Sequence, residues 1–133
     1  MRITVVAAII RRPDGILITK RFSDVHLPGL WEFPGGKVEG VESLEEALRR
    51  EIREELDIRI RVNEQCFETE HHYAAGSVRL HFFECAILEG EPRAAAVADL
   101  RWVSPSQLDQ FEFPEADKEL ILRLRGPGPG SGL

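Results

Sequence analysis

Residues 35–60 read GGKVEGVESLEEALRREIREELDIRI, and the reading of the chain turns on them. From Ser43 onward the spacing predicts a helix. Ser43 stands as an N-cap with Glu46 three residues on, the pattern of a capping box. Leu44, Leu48, Ile52 and Leu56 recur every four residues as an apolar stripe. At ~100° per residue, Glu51, Glu54 and Glu55 fall within an arc of roughly 100° that overlaps the edge of that stripe. Glu46, Arg49, Arg50 and Arg53 take the more exposed side. Three carboxylates gathered beside a buried stripe repel one another. A hard divalent cation would relieve that repulsion, and carboxylate oxygens suit Mg²⁺, which also binds substrate phosphates. The competing reading is a solvated acidic helix with i,i+4 pairs to its arginines.

The spacing of the whole stretch favours the metal reading. Gly36 is followed six residues later by Glu42, then by Arg50, Glu51, Ile52, Glu54, Glu55 and Ile58. This resembles the Nudix box, G-x5-E-x7-R-E-U-x-E-E-x-G-U with U aliphatic, at eight of its nine fixed positions. Asp57 replaces the second glycine. That position ends the helix in a left-handed conformation, which Asp tolerates less well than Gly but better than most residues. The segments TKRFSDVHLPGLWEFPGGKVE, EGEP and FPEADKELILRL are similar to the MutT branch of the family, so the resemblance covers nearly the whole chain except its Gly/Pro tail.

The 133 residues suffice for one domain with a real core. We expect a single domain over 1–125 and a disordered tail over 126–133, GPGPGSGL. The net charge of −6 argues against broad nucleic-acid binding, though not against a nucleotide held by metal and a few basic residues. No apolar run is long enough to span a membrane, and MRITVVAAIIRR reads as a strand rather than a signal peptide. Cys66 and Cys85 read as free thiols in a reducing cytoplasm, with a disulfide still open. A monomer or weak homodimer in the cytoplasm is expected.

Ile3–Ile10 and Ile16–Arg21 read as a hairpin about the turn Arg12-Pro13-Asp14-Gly15. Gly35-Gly36 is expected to allow close approach and positive φ. Ile58–Tyr73 and Ser77–Leu88 read as long strands, the second with Val78, Leu80 and Phe82 on a core face and Ser77, Arg79, His81 and Phe83 on a partly polar one. A strand over Leu100–Val103, a short helix from Ser104-Pro105 to Gln110 and an amphipathic helix over Glu115–Arg125 follow. Mixed strands flanked by helices predict an α/β/α sandwich. The resemblance implies the same fold, with the box as a loop–helix–loop unit.

The resemblance also implies a reaction: Mg²⁺-dependent hydrolysis (Mn²⁺ as an alternative) of a nucleoside diphosphate linked to a further group. In the MutT branch that means a nucleoside triphosphate such as oxidised dGTP or a cytidine-type triphosphate, cut to a monophosphate and pyrophosphate. Glu51, Glu54, Glu55 and the Gly35 carbonyl would hold the metal, and Arg50 would brace the box through a salt bridge to Glu42. Gly36 and Glu42 are the structural box residues. Arg21 and Lys37 are candidates for phosphate contact. Asp117, in PEADKEL, matches the base-reading position. Phe33 and Trp31 are candidates for base stacking or for core packing, and His26 is the one histidine singled out. The branch places a further glutamate six residues before the late tryptophan, Trp102, and here that position is Ala96. Ala96 and Asp57 leave open a domain that binds a nucleotide with weak turnover, and a Nudix hydrolase for another nucleoside diphosphate derivative is a further alternative.

Overall fold

The computed structural model describes residues 2–22 and 29–126. Seven strands and two α-helices follow one another as β1 (Arg2–Arg12), β2 (Gly15–Lys20), β3 (Trp31–Glu32), β4 (Gly35–Lys37), α1 (Leu44–Leu56), β5 (Arg59–Tyr73), β6 (Gly76–Glu89), β7 (Asp99–Val103) and α2 (Lys118–Arg125). Short 3₁₀ turns occupy Pro105–Gln110 and Glu115–Asp117. The final helix is therefore split where a single one was expected. The expected tail lies outside the described residues beyond Gly126.

β1 organises the sheet. Its first part runs parallel to β6 from Arg2↔Ser77 to Ile10↔Cys85, and its end pairs antiparallel with β2. The path is β3-β2-β1-β6-β5, with β4 added to β1 and β7 to β2, so the sheet is mixed. A run as apolar as VVAAII suits a strand covered on both faces. Val6, Ala8 and Ile10 face one core with Ala47, Leu48, Ile52 and Leu56 of α1. Ala7 and Ile9 face a second core with Leu108, Leu120 and Ile121. Helical elements thus lie on both sides of the sheet, as the α/β/α reading expects.

The same alternation corrects the reading of β6. Phe82 belongs to the second core and Phe83 to the first. Phe83 is buried rather than on a polar face, because α1 covers that side. Cys66 and Cys85 are both free. Burial raises the thiol pKa of Cys66 to about 11 and of Cys85 to about 12, so neither is a ready nucleophile. Among the described residues, no helix is long and apolar enough to cross a membrane.

Candidate active site

α1 begins and ends as its sequence dictates. The Ser43 hydroxyl accepts from the Glu46 N–H, and the Glu46 carboxylate accepts from the Ser43 N–H. At the other end Asp57 adopts φ 57° and ψ 41°, and its N–H donates to the Arg53 carbonyl. Asp57 therefore takes the left-handed cap that the absent glycine would have supplied, and its side chain gains the Arg93 guanidinium at 3.0 Å. The orphan carbonyls of the last turn are met by the chain before β7. Leu56 accepts from the Arg93 N–H, and the Glu55 carbonyl accepts from the N–H groups of Ala95 and Ala96.

β4 brings the double glycine against both β1 and the helix. Neither glycine has positive φ, contrary to the expectation from sequence. What they supply is proximity. A Cβ on Gly35 would run into the Val6 carbonyl, and one on Gly36 into the Glu51 carboxyl group. The Gly35 N–H donates to Glu55 Oε1 at 3.2 Å. Two box carboxylates thus converge on two consecutive glycines.

Arg50 is the internal cation of this cluster. Its Nε and Nη2 grip the two Glu42 oxygens at 2.6 and 2.9 Å, Nη2 also donates to the Lys37 carbonyl, and Nη1 donates to Glu51 at 2.9 Å and reaches Glu54 at 3.4 Å. It is half-buried rather than on the exposed side of the helix. These bonds hold the Glu42 carboxyl down at about 2. Glu55 goes the other way. Burial, then the charges of Glu32 and Glu51, raise it to about 8, against the pull of the Gly35 N–H and Arg21. Burial also raises Glu51, with the Arg50 guanidinium opposing.

Glu32 is the residue that the sequence reading missed. It sits on β3 opposite Thr19, ion-paired to Arg21 at 2.9 Å, and burial raises its pKa. Its charge bears on both Glu55 and Asp117. In sequence it is one acid in the loop-like string WEFPGG. Only the pairing of β3 with β2 reveals that it faces the site.

A cavity of about 520 Å³ opens beside the box. Gly35, Gly36, Lys37, Arg21 and Glu32 line it, together with Phe33, Val5, Leu80, Phe82, Tyr73 and Asp117. Lys37 is exposed and Arg21 half-buried. Asp117 is 4 % exposed, and among the described residues no hydrogen bond reaches its carboxyl group, which does not cap α2. Burial, with Glu32 adding repulsion, lifts its pKa to about 7. Phe33 packs against Phe82 and Phe113. Trp31 packs edge-on against Phe111 and does not line the cavity. His26 lies outside the described residues.

A second cleft of about 160 Å³ adjoins the first and shares Arg21 and Glu32 with it. Glu55, Lys20 and Ala96 also line it. Ala96 therefore stands beside the half-buried Glu55, where a longer acid would have reached it. Glu91 is instead tied to Arg12, and Asp99 accepts from the Leu100 N–H. Neither lines this cleft.

The sequence profile of the NUDIX domain matches residues 5–123. The chain belongs to the Nudix hydrolase family. The CTP pyrophosphohydrolase of Escherichia coli K12 is 39 % identical over 130 residues, covering 96 % of each chain. An 8-oxo-dGTP diphosphatase of Haemophilus influenzae is 36 % identical over 124 residues, covering 92 % of this chain and 90 % of that one. Among solved structures, the E. coli ORF135 protein superposes with a TM-score of 0.80 at 36 % identity, covering 98 % of this chain and 95 % of that one. The MutT Nudix hydrolase of Burkholderia pseudomallei gives 0.80 at 29 % identity, covering 93 % and 98 %. These relatives span nearly the whole of this chain, and the solved ones share its fold.

Proposed function

We propose that this Nudix hydrolase is a nucleoside triphosphate pyrophosphohydrolase, cutting a modified or ordinary (d)NTP to the monophosphate and pyrophosphate in the cytoplasm. The carrying observation is the junction of the carboxylate box with the cavity. Gly35 and Gly36 touch Glu55 and Glu51 on one side and line the cavity on the other. The volume suits a small nucleotide rather than a macromolecule, and relatives of similar length act on CTP and 8-oxo-dGTP by name.

The donor set fits a divalent metal. It is all oxygen, and it holds a half-buried carboxyl, Glu55, that desolvation and then the charges of Glu32 and Glu51 push to about 8. Among the described residues no three acids, histidines or cysteines are yet gathered closely enough to hold an ion, since Arg50 occupies Glu51 and Glu54. Glu51, Glu54, Glu55 and the Gly35 carbonyl would hold Mg²⁺, with Mn²⁺ an alternative. When bound, such an ion neutralises phosphate oxygens and lowers the pKa of attacking water.

The remaining roles fall to the chain itself. Arg50 orients Glu51 and Glu54 from its grip on Glu42. Arg21, steered by Glu32, and Lys37 offer cations to the phosphates. Asp117 reads the base: protonated it donates and accepts, ionised it only accepts. The test is pyrophosphate release over a panel of oxidised, methylated and ordinary (d)NTPs, with Mg²⁺ and with EDTA. Metal-dependent release from one or a few supports the reading. Nucleotide binding without release supports a sensor instead, with Ala96 as the reason.

A further inference from the structure

We propose that Glu32 is the carboxylate that orients the attacking water, taking the part that Ala96 leaves unfilled. This rests on the triphosphate reading above and adds a catalytic residue to it. Among the described residues, two acids line the cleft beside Ala96: Glu55 and Glu32. Glu55 is assigned to the cation, and its Oε1 also accepts from the Gly35 N–H. The chain before β7 adds only Ala96 and Val97 to the wall. Glu32 is the acid left for the water.

Strand pairing aims it there. Ile16 and Ile18 of β2 lie in the second core, while Leu17 lies in the first, with α1. Alternation puts Thr19 on the α1 face with Leu17. Glu32 is the cross-strand partner of Thr19, so its side chain leaves β3 on that same face. Trp31, one residue earlier, belongs to the other core. The Glu32 side chain keeps 23 % exposure and lines both the cavity and the cleft, so water reaches it where the two adjoin. Its charge weighs on Glu55 more than that of Glu51 does, as expected of two carboxyls facing one small cleft. The Arg21 guanidinium fixes Glu32 Oε1 at 2.9 Å, and among the described residues no hydrogen bond reaches Oε2.

The carboxylate then works as a fixed acceptor. Arg21 holds one oxygen. The other accepts a hydrogen bond from a water in the cleft and turns a lone pair of that water toward phosphorus. The water oxygen joins phosphorus, the bond from that phosphorus to the bridging oxygen breaks, and the bridging oxygen keeps the electron pair. The products are the monophosphate and pyrophosphate, and the proton of the water passes out to solvent. Glutamine in this place has the wrong polarity. Arg21 only donates, so it would hold the amide oxygen and leave the NH₂ group facing the water, a donor where an acceptor is needed.

The test compares wild type, Glu32→Gln, Ala96→Glu and the double variant on the best triphosphate with Mg²⁺. Glu32→Gln should lower kcat about 100-fold, the scale of misplacing a reacting group, with KM within about threefold of wild type. Adding Ala96→Glu to it should recover at least about 10-fold of that loss, whereas the same change in wild type adds a factor of a few at most. Metal-free melting curves, and calorimetric binding of the matching nucleoside monophosphate in EDTA, should be the same for wild type and Glu32→Gln. An unchanged kcat in Glu32→Gln would overturn the proposal and leave the triphosphate reading intact. So would weakened monophosphate binding, or a loss that Ala96→Glu does not repair, since Glu32 would then act by holding Arg21 or the nucleoside. A wild-type chain that hydrolyses no triphosphate would overturn both.

Discussion

Glu55, half-buried, and Asp117, buried, are carboxyls held far above their ordinary pKa, at about 8 and about 7, yet the chain surrounds them in different ways. Glu55 is framed by its own segment. The Gly35 N–H, the neighbouring Glu51 and the Arg50–Glu42 clamp all come from the stretch between residues 35 and 55. Asp117 sits in a cavity assembled from β1, β4, the β5–β6 hairpin and the turn at Glu115–Asp117. Glu32 lies between the two and charges both. In the function proposed above, a helix and its preceding loop carry the hydrolytic machinery as a unit, while the proposed substrate-selecting wall is drawn from strands far apart in sequence.

The sharpest way to break that contrast is at Gly36. Its backbone is compatible with alanine, but the added methyl would displace the Glu51 carboxylate. Gly36→Ala should lower kcat about 10- to 100-fold, the scale of disturbing one catalytic group, while the ranking of triphosphates stays as it was. A change of ranking instead would mean that box and selecting wall are not separable.

Asp117→Asn should do the reverse. The ranking between oxidised-guanine and cytosine-type triphosphates should shift about 10-fold, the worth of one hydrogen bond to a charged group, with the best kcat little altered. Because Asp117 titrates near 7, the wild-type ranking should also move between pH 6 and 8, and the Asn variant's should not. The same group sets a stability slope. Its folded pKa, about 7, exceeds the ordinary 3.8, so the folded state holds the proton longer, and its contribution is present at low pH and lost as pH rises through 7. Metal-free wild type should lose up to about 1.4 kcal/mol per pH unit more than Asp117→Asn across that window. Parallel melting curves from pH 4 to 8 would refute the assignment.

The smallest effect is expected at Ala96. Ala96→Glu places an acid in the cleft beside Glu55 and should raise kcat by a factor of a few, well below the loss associated with removing a general base. No change would show that Glu32 or another group already serves there.

The sequence showed the box and its helix clearly because their determinants are local. A capping pair three residues apart, a four-residue apolar period and a fixed run of acids need no tertiary contact to be recognised. The left-handed end at Asp57 was readable for the same reason. The double glycine was read for the wrong property, since its close approach to Val6 and Glu51 exists only once β4 has paired with β1. Phe83 was misassigned because alternation along β6 cannot reveal that α1 covers the second face. Glu32 escaped altogether. Nothing near it in the chain marks it, and only the pairing of β3 with β2 brings it to the site.

The central claim is that the box carboxylates power hydrolysis through a bound cation. It is tested most directly by comparing wild type with Glu54→Gln on the best triphosphate over a Mg²⁺ titration, with melting curves recorded without metal. Glu54 is exposed and, among the described residues, is held by Arg50 alone, so the fold should not depend on it. The account predicts a fall in kcat of at least about 100-fold with the melting curve unchanged. Equal rates at every Mg²⁺ concentration would contradict it.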